Sequence, residues 1–307
     1  MSLKTAANSL ITEFRSRSTI RAGSLIITMF GDAIAPRGGT SWIGSLIHVL
    51  EELGINERLV RTSVFRLARD NWLESTQVGR RSYYSLSNIG AAEFEQATAR
   101  IYGDLRQSWN GDWYTVLLDG LDAEHKEVMR KELRWLGFGA ISTNVVVHPT
   151  VDVIALEALL KNSGAGGKIV VMRGRTLGRM QDDAMRRLVH KSWNLGEIDD
   201  RYSGFIRQFR PIYRKACELQ DLDCRAAFQI RTLLIHEYRR ILLRDPLLPS
   251  EMLPPSWNGM TAYRLCRNLY RLVFAAADEF MSTEFETAEG PLPPPAPEFY
   301  DRFGGLV

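Results

Sequence analysis

Between Thr40 and Leu86 the chain switches from a helical to a two-residue hydrophobic period, and no other stretch limits the fold as much. Thr40 is placed to cap a helix, its hydroxyl accepting an unpaired N–H of the first turn. Trp42, Ile43, Leu46, Ile47 and Leu50 then recur on one helical face. Gly54 is expected to close that helix, because glycine adopts the left-handed conformation at little cost. Asn56 is expected to cap the next helix, with Ile55 and Val60 at the spacing of a hydrophobic staple. Two helices parted by so few residues have the layout of a helix-turn-helix.

The second helix, residues 57–71, has two faces. Val60, Val64, Leu67 and Ala68 make an apolar stripe, while Arg58, Arg61, Thr62, Phe65 and Arg69 lie opposite and Arg66 lies on the flank. Arginines so spaced can fork onto guanine acceptors or phosphates, and Thr62 and Phe65 can touch a thymine methyl. Two β-prone runs follow, Trp72 to Gln77 and Arg81 to Leu86, around Val78-Gly79-Arg80, which predicts a hairpin. Arg80, Arg81 and Tyr83 would hold the minor groove or the flanking phosphates. The layout is a winged helix-turn-helix. From Asn56 to Leu86 six arginines oppose Glu57, Asp70 and Glu74, a local net of +3 that equals the whole-chain net of +3. An isolated basic helix is ordinarily a solvated surface. Here a cap, a tight turn, a basic helix and an arginine-tipped hairpin agree, and a concentrated basic patch is an electrostatic footprint for nucleic acid.

At 307 residues the chain is long enough for two or three domains. Residues 20–103 are expected to form the winged-helix domain, after a polar start to Arg21 that is loosely held. Residues 111–175 have the order βαββαβ, a ferredoxin-like sandwich: a strand from Trp113, a helix capped by Asp122, strands at 138–141 and 145–148, a helix from Asp152 and a strand from Lys168. Residues 176–285 are expected to be all-helical, and 286–307 a proline-rich extended tail. The fold class is therefore α+β and multidomain. No apolar run approaches the roughly 20 residues that span a bilayer, so no membrane partner and a cytoplasmic location are expected. Cys217, Cys224 and Cys266 form no CxxC pair, and the five histidines match no metal-binding motif. Neither a cofactor nor a metal nor an enzymatic activity is expected.

Three segments resemble the PaaX family of bacterial repressors, which control phenylacetate degradation operons. They are Val60 to Leu73 with Gly79 to Leu86, the middle domain opening at Trp113, and Leu233 to Arg240 with Asp245-Pro-Leu-Leu-Pro249 and Leu253-Pro-Pro-Ser-Trp-Asn-Gly259. The last is specific, because prolines and a tryptophan at these offsets are improbable by chance. Where the family has a glycine before the tryptophan that leaves the second helix, this chain has Asn71. The resemblance implies a homodimer on a double-stranded DNA operator, released by phenylacetyl-coenzyme A or a related aryl-CoA thioester. By analogy much of the dimer contact would lie in the helical final third. Such an effector needs cations and an apolar slot: Arg173, Arg175, Arg179, Arg186, Arg187 and Lys191 are candidates for charge, and Trp193, Tyr202, Phe205 and Trp257 for the slot. Tyr202 and Phe205 at helical spacing suit a core equally well.

Two alternatives stand beside this reading. Asp119, just after the first strand of the middle domain, resembles the metal-holding aspartate of small CRISPR-associated ferredoxin-like nucleases. Metal-assisted phosphodiester cleavage ordinarily uses a carboxylate cluster, and only Asp122 is near. A winged helix can also serve purely as a protein-interaction module.

Overall fold

In a computed structural model of the chain, residues 2–17, 21–103, 108–164, 167–176 and 183–306 are described. The contacts divide it into two compact units, each drawn from separated stretches: Met1–Asp104 with Ser203–Leu242 and Met260–Val307, and Leu105–Tyr202 with Leu243–Gly259.

The first unit contains the stretch from Thr40 to Leu86. Helices α1 (Leu3–Arg15) and α2 (Ala22–Met29) precede β1 (Thr40–Trp42), α3 (Ile43–Glu52), α4 (Glu57–Arg69), β2 (Leu73–Val78), β3 (Arg81–Leu86) and α5 (Asn88–Tyr102). The three strands form one antiparallel sheet in the order β1-β3-β2. Thr40 therefore does not cap a helix. Its backbone pairs with Ser85, and α3 begins after Trp42, which makes no side-chain cap bond. The open edge of β3 competes for Thr40 to Trp42 and wins, since each ladder bond satisfies a polar backbone group.

The start of the chain is not loose. Ser2 accepts the Thr5 N–H as the cap of α1, and Leu3, Ala6, Ala7, Leu10, Ile11 and Phe14 are buried. Their three- and four-residue spacing is one helical face, visible between the serines and arginines that suggested a loose arm. That face packs on α10 (Cys224–Leu242), the central helix of the unit, which also meets α2 and α5. Nor is the end a free tail. After α11 (Gly259–Glu284), β8 (Glu286–Thr287) and β9 (Gly290–Pro291) pair, and Phe285, Leu292, Phe299, Phe303 and Leu306 are buried. Proline runs do forbid a central strand or helix, but they leave aromatic residues free to bury their rings.

The second unit carries β4 (Asp112–Leu117), α6 (Ala123–Trp135), β5 (Gly139–Ala140), β6 (Val145–His148), α7 (Val153–Asn162) and β7 (Val170–Arg175). All strand pairs are antiparallel and the order is β5-β6-β4-β7. Asp122 caps α6 and Asp152 caps α7, each by accepting backbone N–H groups. One core holds Val116, Leu118, Met129, Leu133, Phe138, Val146 and Leu156. A second cluster joins Trp113 and Val147 to Val189 and Trp193 of α8 (Asp183–Trp193) and to Leu248 and Met252 of the proline-rich loop. Strand residues alternate between the two faces of a sheet, so Val116 and Trp113 enter different cores. Helix α9 (Leu195–Cys217) runs on through Pro211 without ending there.

Candidate nucleic-acid interface

Two helix ends of the same kind set the angle and length of α4. At the end of α3, Gly54 takes φ +83° and the Ile55 N–H reaches back to Leu50 O at 3.0 Å. At the end of α4, Asn71 takes φ +56° and the Trp72 N–H reaches Leu67 O at 2.8 Å. Both are left-handed closures that satisfy carbonyls the helix leaves unpaired. Asn71 stands where the family's glycine was expected, and asparagine is among the few side chains that tolerate this conformation. Asn56 Oδ1 accepts the Leu59 N–H at 2.9 Å and so starts α4 as the sequence predicts.

Val60, Ser63 and Val64 face inward and are buried, which sets the rotation of α4. Arg58, Arg61, Thr62, Phe65, Arg66 and Arg69 are all exposed. Phe65 is 68% exposed, a large apolar ring held in water beside four arginines of its helix, and so a group available for contact. The Thr62 hydroxyl is already used: it donates to Arg58 O at 2.8 Å. Arg61 pairs with Glu57 one turn earlier at 2.7 Å, and Arg69 with Asp70 at 3.0 Å. Among the described residues, no acidic partner is found for Arg58, Arg66 or Arg80. Exposed pairs such as Arg61–Glu57 contribute roughly 0–1 kcal/mol to stability.

The hairpin forms where the sequence predicts one, but β2 runs through Val78, which pairs with Arg81 and leaves Gly79, at φ +62°, and Arg80 as a two-residue loop. Arg80 is exposed at its tip. Tyr83 is not available for a backbone contact: it is buried, paired between Trp42 and Thr76. It lies on β3, the central strand of the sheet, with β1 on one side and β2 on the other. Arg81 is open but engaged. Its guanidinium lies 4.2 Å above the Trp42 ring and donates to Glu286 at 2.6 Å. The Tyr83 hydroxyl and the Glu286 carboxylate raise the Arg81 pKa above its ordinary value. Neither Trp42 nor Glu286 was singled out in the sequence as part of this surface. The sequence puts Trp42 on the apolar face of the first helix and not on this surface, and nothing local marks Glu286, 205 positions after Arg81.

The residues expected to hold an effector are only partly brought together. A cavity of about 330 Å³ in the second unit is lined by Trp113, Met172, Met185, Leu188, Val189 and Trp193, with Arg173 and Arg175 at β7. Both arginines bind Asp112, Arg175 through Nε at 2.7 Å and Arg173 through Nε at 2.8 Å. These bonds, from Arg175 and then Arg173, hold the Asp112 carboxyl below its usual range. Two cations on one carboxylate leave a net positive charge. The Trp193 indole donates to Gly137 O at 2.7 Å, which fixes its ring in the wall. Tyr202 is no part of a slot: it is fully buried and its hydroxyl donates to Asp245 at 2.6 Å. Trp257 packs its edge on that ring at 5.7 Å. Phe205 is likewise core. Arg186 pairs with Asp183 on the surface, while Arg179 lies outside the described residues.

Asp119 accepts from Asn144, and Asp122 caps α6 and bonds His125. Among the described residues, no three of His, Cys, Asp and Glu gather as metal ligands, and no helix is long and apolar enough to cross a membrane.

Comparison with known proteins bears on the whole chain. Residues 21–90 match the PaaX-like protein model, 106–186 the PaaX protein central Cas2-like domain, and 193–283 the PaaX-like protein C-terminal domain. The transcriptional repressor PaaX of Escherichia coli (strain K12) is 40% identical over 284 residues, covering 92% of this chain and 90% of that protein. The solved structure of the uncharacterized protein Rv0674 from Mycobacterium tuberculosis matches 76% of this chain and 90% of its own, at 20% identity and a TM-score of 0.47, too distant to carry an inference. With three consecutive domain matches and a relative aligned along nearly its full length, the chain belongs to the PaaX family.

Proposed function

We propose that this protein is a sequence-specific DNA-binding transcriptional repressor of a phenylacetate-type aromatic catabolic operon, and not an enzyme. In this reading α3, α4 and the β2–β3 hairpin are a winged helix-turn-helix, and the β5-β6-β4-β7 sheet with α6 and α7 is a ferredoxin-like domain. Helix α4 enters the major groove, with Arg58, Arg61, Arg66 and Arg69 on base edges and phosphates, Phe65 against a thymine methyl, and Arg80 at the flanking backbone. The observation that carries the reading is the division of α4: its inner face is core, and its outer face is open arginine around an uncovered phenylalanine.

The 40% identical relative named a transcriptional repressor supports the direction of regulation. An aryl-CoA thioester is the proposed effector, its acyl group in the cavity at Trp113 and Trp193 and its phosphates near Arg173 and Arg175. The protein acts as a homodimer on a palindromic site. The exposed apolar residues Val170, Val171 and Met172 on edge strand β7 favour this sheet over the helical third for the contact, since such edges are ordinarily covered.

The test uses a duplex enriched from a random pool by the wild-type protein, titrated by fluorescence anisotropy at several salt concentrations. Replacing Arg61 and Arg66 together with alanine is expected to weaken binding by about 2–6 kcal/mol, at 1–3 kcal/mol for each base-reading arginine. Phenylacetyl-CoA, but not free CoA, is expected to release the wild-type complex. Unchanged affinity and salt slope in the double variant would sink the assignment of α4.

A further inference from the structure

Among the described residues, Arg81 alone of the arginines on the reading surface is held by a carboxylate from outside the Thr40–Leu86 stretch. Arg61 and Arg69 pair with neighbours on or beside their own helix, Glu57 and Asp70. Arg81 is met by Glu286, carried by β8. The reader itself fixes that carboxylate in place. The Glu286 backbone N–H donates to the Ser45 hydroxyl of α3 at 3.0 Å. On either side of it, Phe285 is buried and accepts the Leu292 N–H at 3.1 Å, and Glu286 pairs with Pro291. Trp42 stacks on the guanidinium at 4.2 Å, and the Tyr83 hydroxyl also bonds it. Arg81 is thus clamped between a ring and a carboxylate, yet both charged side chains stay about half exposed, at 49% and 48%. The clamp is open to solvent.

We propose that Glu286 sets the affinity of the DNA interface by standing at Arg81 where a backbone phosphate would otherwise stand. A carboxylate and a phosphate offer a guanidinium the same kind of charged oxygen acceptor, so they exclude one another at this group. The carboxylate also repels a nearby phosphate. Wild-type Arg81 accordingly makes no phosphate contact, and its role is to position the wing on Trp42. The inference rests on the DNA-binding reading above.

The experiment compares wild type, Glu286→Gln, Arg81→Ala and the double variant, all full length, on the enriched duplex and on an unrelated one. Glu286→Gln keeps the shape of the side chain and removes its charge. It is expected to tighten binding to both duplexes by about three- to tenfold, and to steepen the slope of log affinity against log salt by about 0.9, the signature of one more neutralised phosphate. Arg81→Ala is expected to leave the wild-type slope unchanged, and to abolish the gain when combined with Glu286→Gln. Glu286→Ala is expected to act in the same direction, and thermal midpoints within a few degrees of wild type confirm that each variant is folded. Unchanged affinity and slope in Glu286→Gln would overturn the masking role. So would a gain that survives Arg81→Ala, or a flatter slope in Arg81→Ala alone. If the wild type itself binds duplex DNA without salt dependence, the interface reading fails as well. If it binds with steep salt dependence and Glu286→Gln matches it, only the masking fails.

Discussion

His236 on α10 is a histidine whose environment has removed it from ordinary titration. It is buried, its Nδ1 lies 3.2 Å from the Thr28 hydroxyl, and its ring meets Phe14 edge to face at 5.9 Å. Burial, then the charges of Arg240, Arg239 and Arg17, lower its pKa from 6.5 to about 3. Glu237 comes within 3.9 Å of Nε2, but its carboxylate is shared with Arg17 at 2.6 Å and Arg240 at 3.4 Å, so it does not hold a proton on the ring. Below pH 6.5 the unfolded chain takes up a proton that the folded one refuses. Stability from this group is therefore complete above that pH and falls as pH drops, by roughly 1.4 kcal/mol per unit. Urea denaturation at about pH 7 and about pH 5 should show wild type losing about 2 kcal/mol more than His236→Gln. Equal losses would mean that this histidine charges in the folded state.

The elements of the proposed DNA interface are held by local closures more than by area. Helix α4 buries only Val60, Ser63 and Val64 fully, so its end at Asn71 carries much of the register between helix and hairpin. With φ at +56°, Asn71→Gly should leave stability within about 0.5 kcal/mol of wild type, whereas a β-branched Asn71→Val should lower it by about 1–2 kcal/mol. Chemical denaturation measures both, and a neutral valine would show that the closure can relax. The same helix was legible almost residue by residue. Its cap, its stripe and the glycine before it lie within one another's reach along the chain, and local rules decide them. Thr40 shows the limit of such rules, because a helix cap and a strand residue look alike until the partner strand is known.

Across the first unit, one aspartate joins segments from both ends of the chain. Asp32 is buried and accepts from Arg231 at 2.8 Å, Tyr102 at 2.7 Å, Tyr270 at 2.9 Å and Arg302 at 3.1 Å. Burial alone would raise its pKa, but Arg231 and Arg302 reverse that and hold it below its ordinary value. Arg302 also donates to Asp32 O at 2.7 Å and Gly31 O at 3.0 Å, and stacks over Tyr102 and Phe299 at 4.1 and 4.6 Å. Removing one member of a buried, hydrogen-bonded ion cluster strands the others. Arg302→Ala should therefore lower unfolding stability by about 3–5 kcal/mol, with helix α5 loosened where Tyr102 ends it. A loss under about 1 kcal/mol, read by urea titration, would mean that water replaces the guanidinium without penalty.

What the residues alone determined is the local grammar: caps at Asn56 and Asp122, a glycine closure at Gly54, a hairpin at Gly79, and an arginine face on α4 whose chemistry points to nucleic acid. Those features depend on partners within a few residues, where chain geometry leaves few alternatives. Only the tertiary structure decided that Tyr83 is covered, that Tyr202 is core, that the first helix and the proline-rich end are packed, and that Arg302 and Glu286 reach Asp32 and Arg81. Each of these is a choice among many chemically equivalent carboxylates, arginines or rings. Burial and the crossing of distant segments select one, and no spacing along the chain encodes that selection.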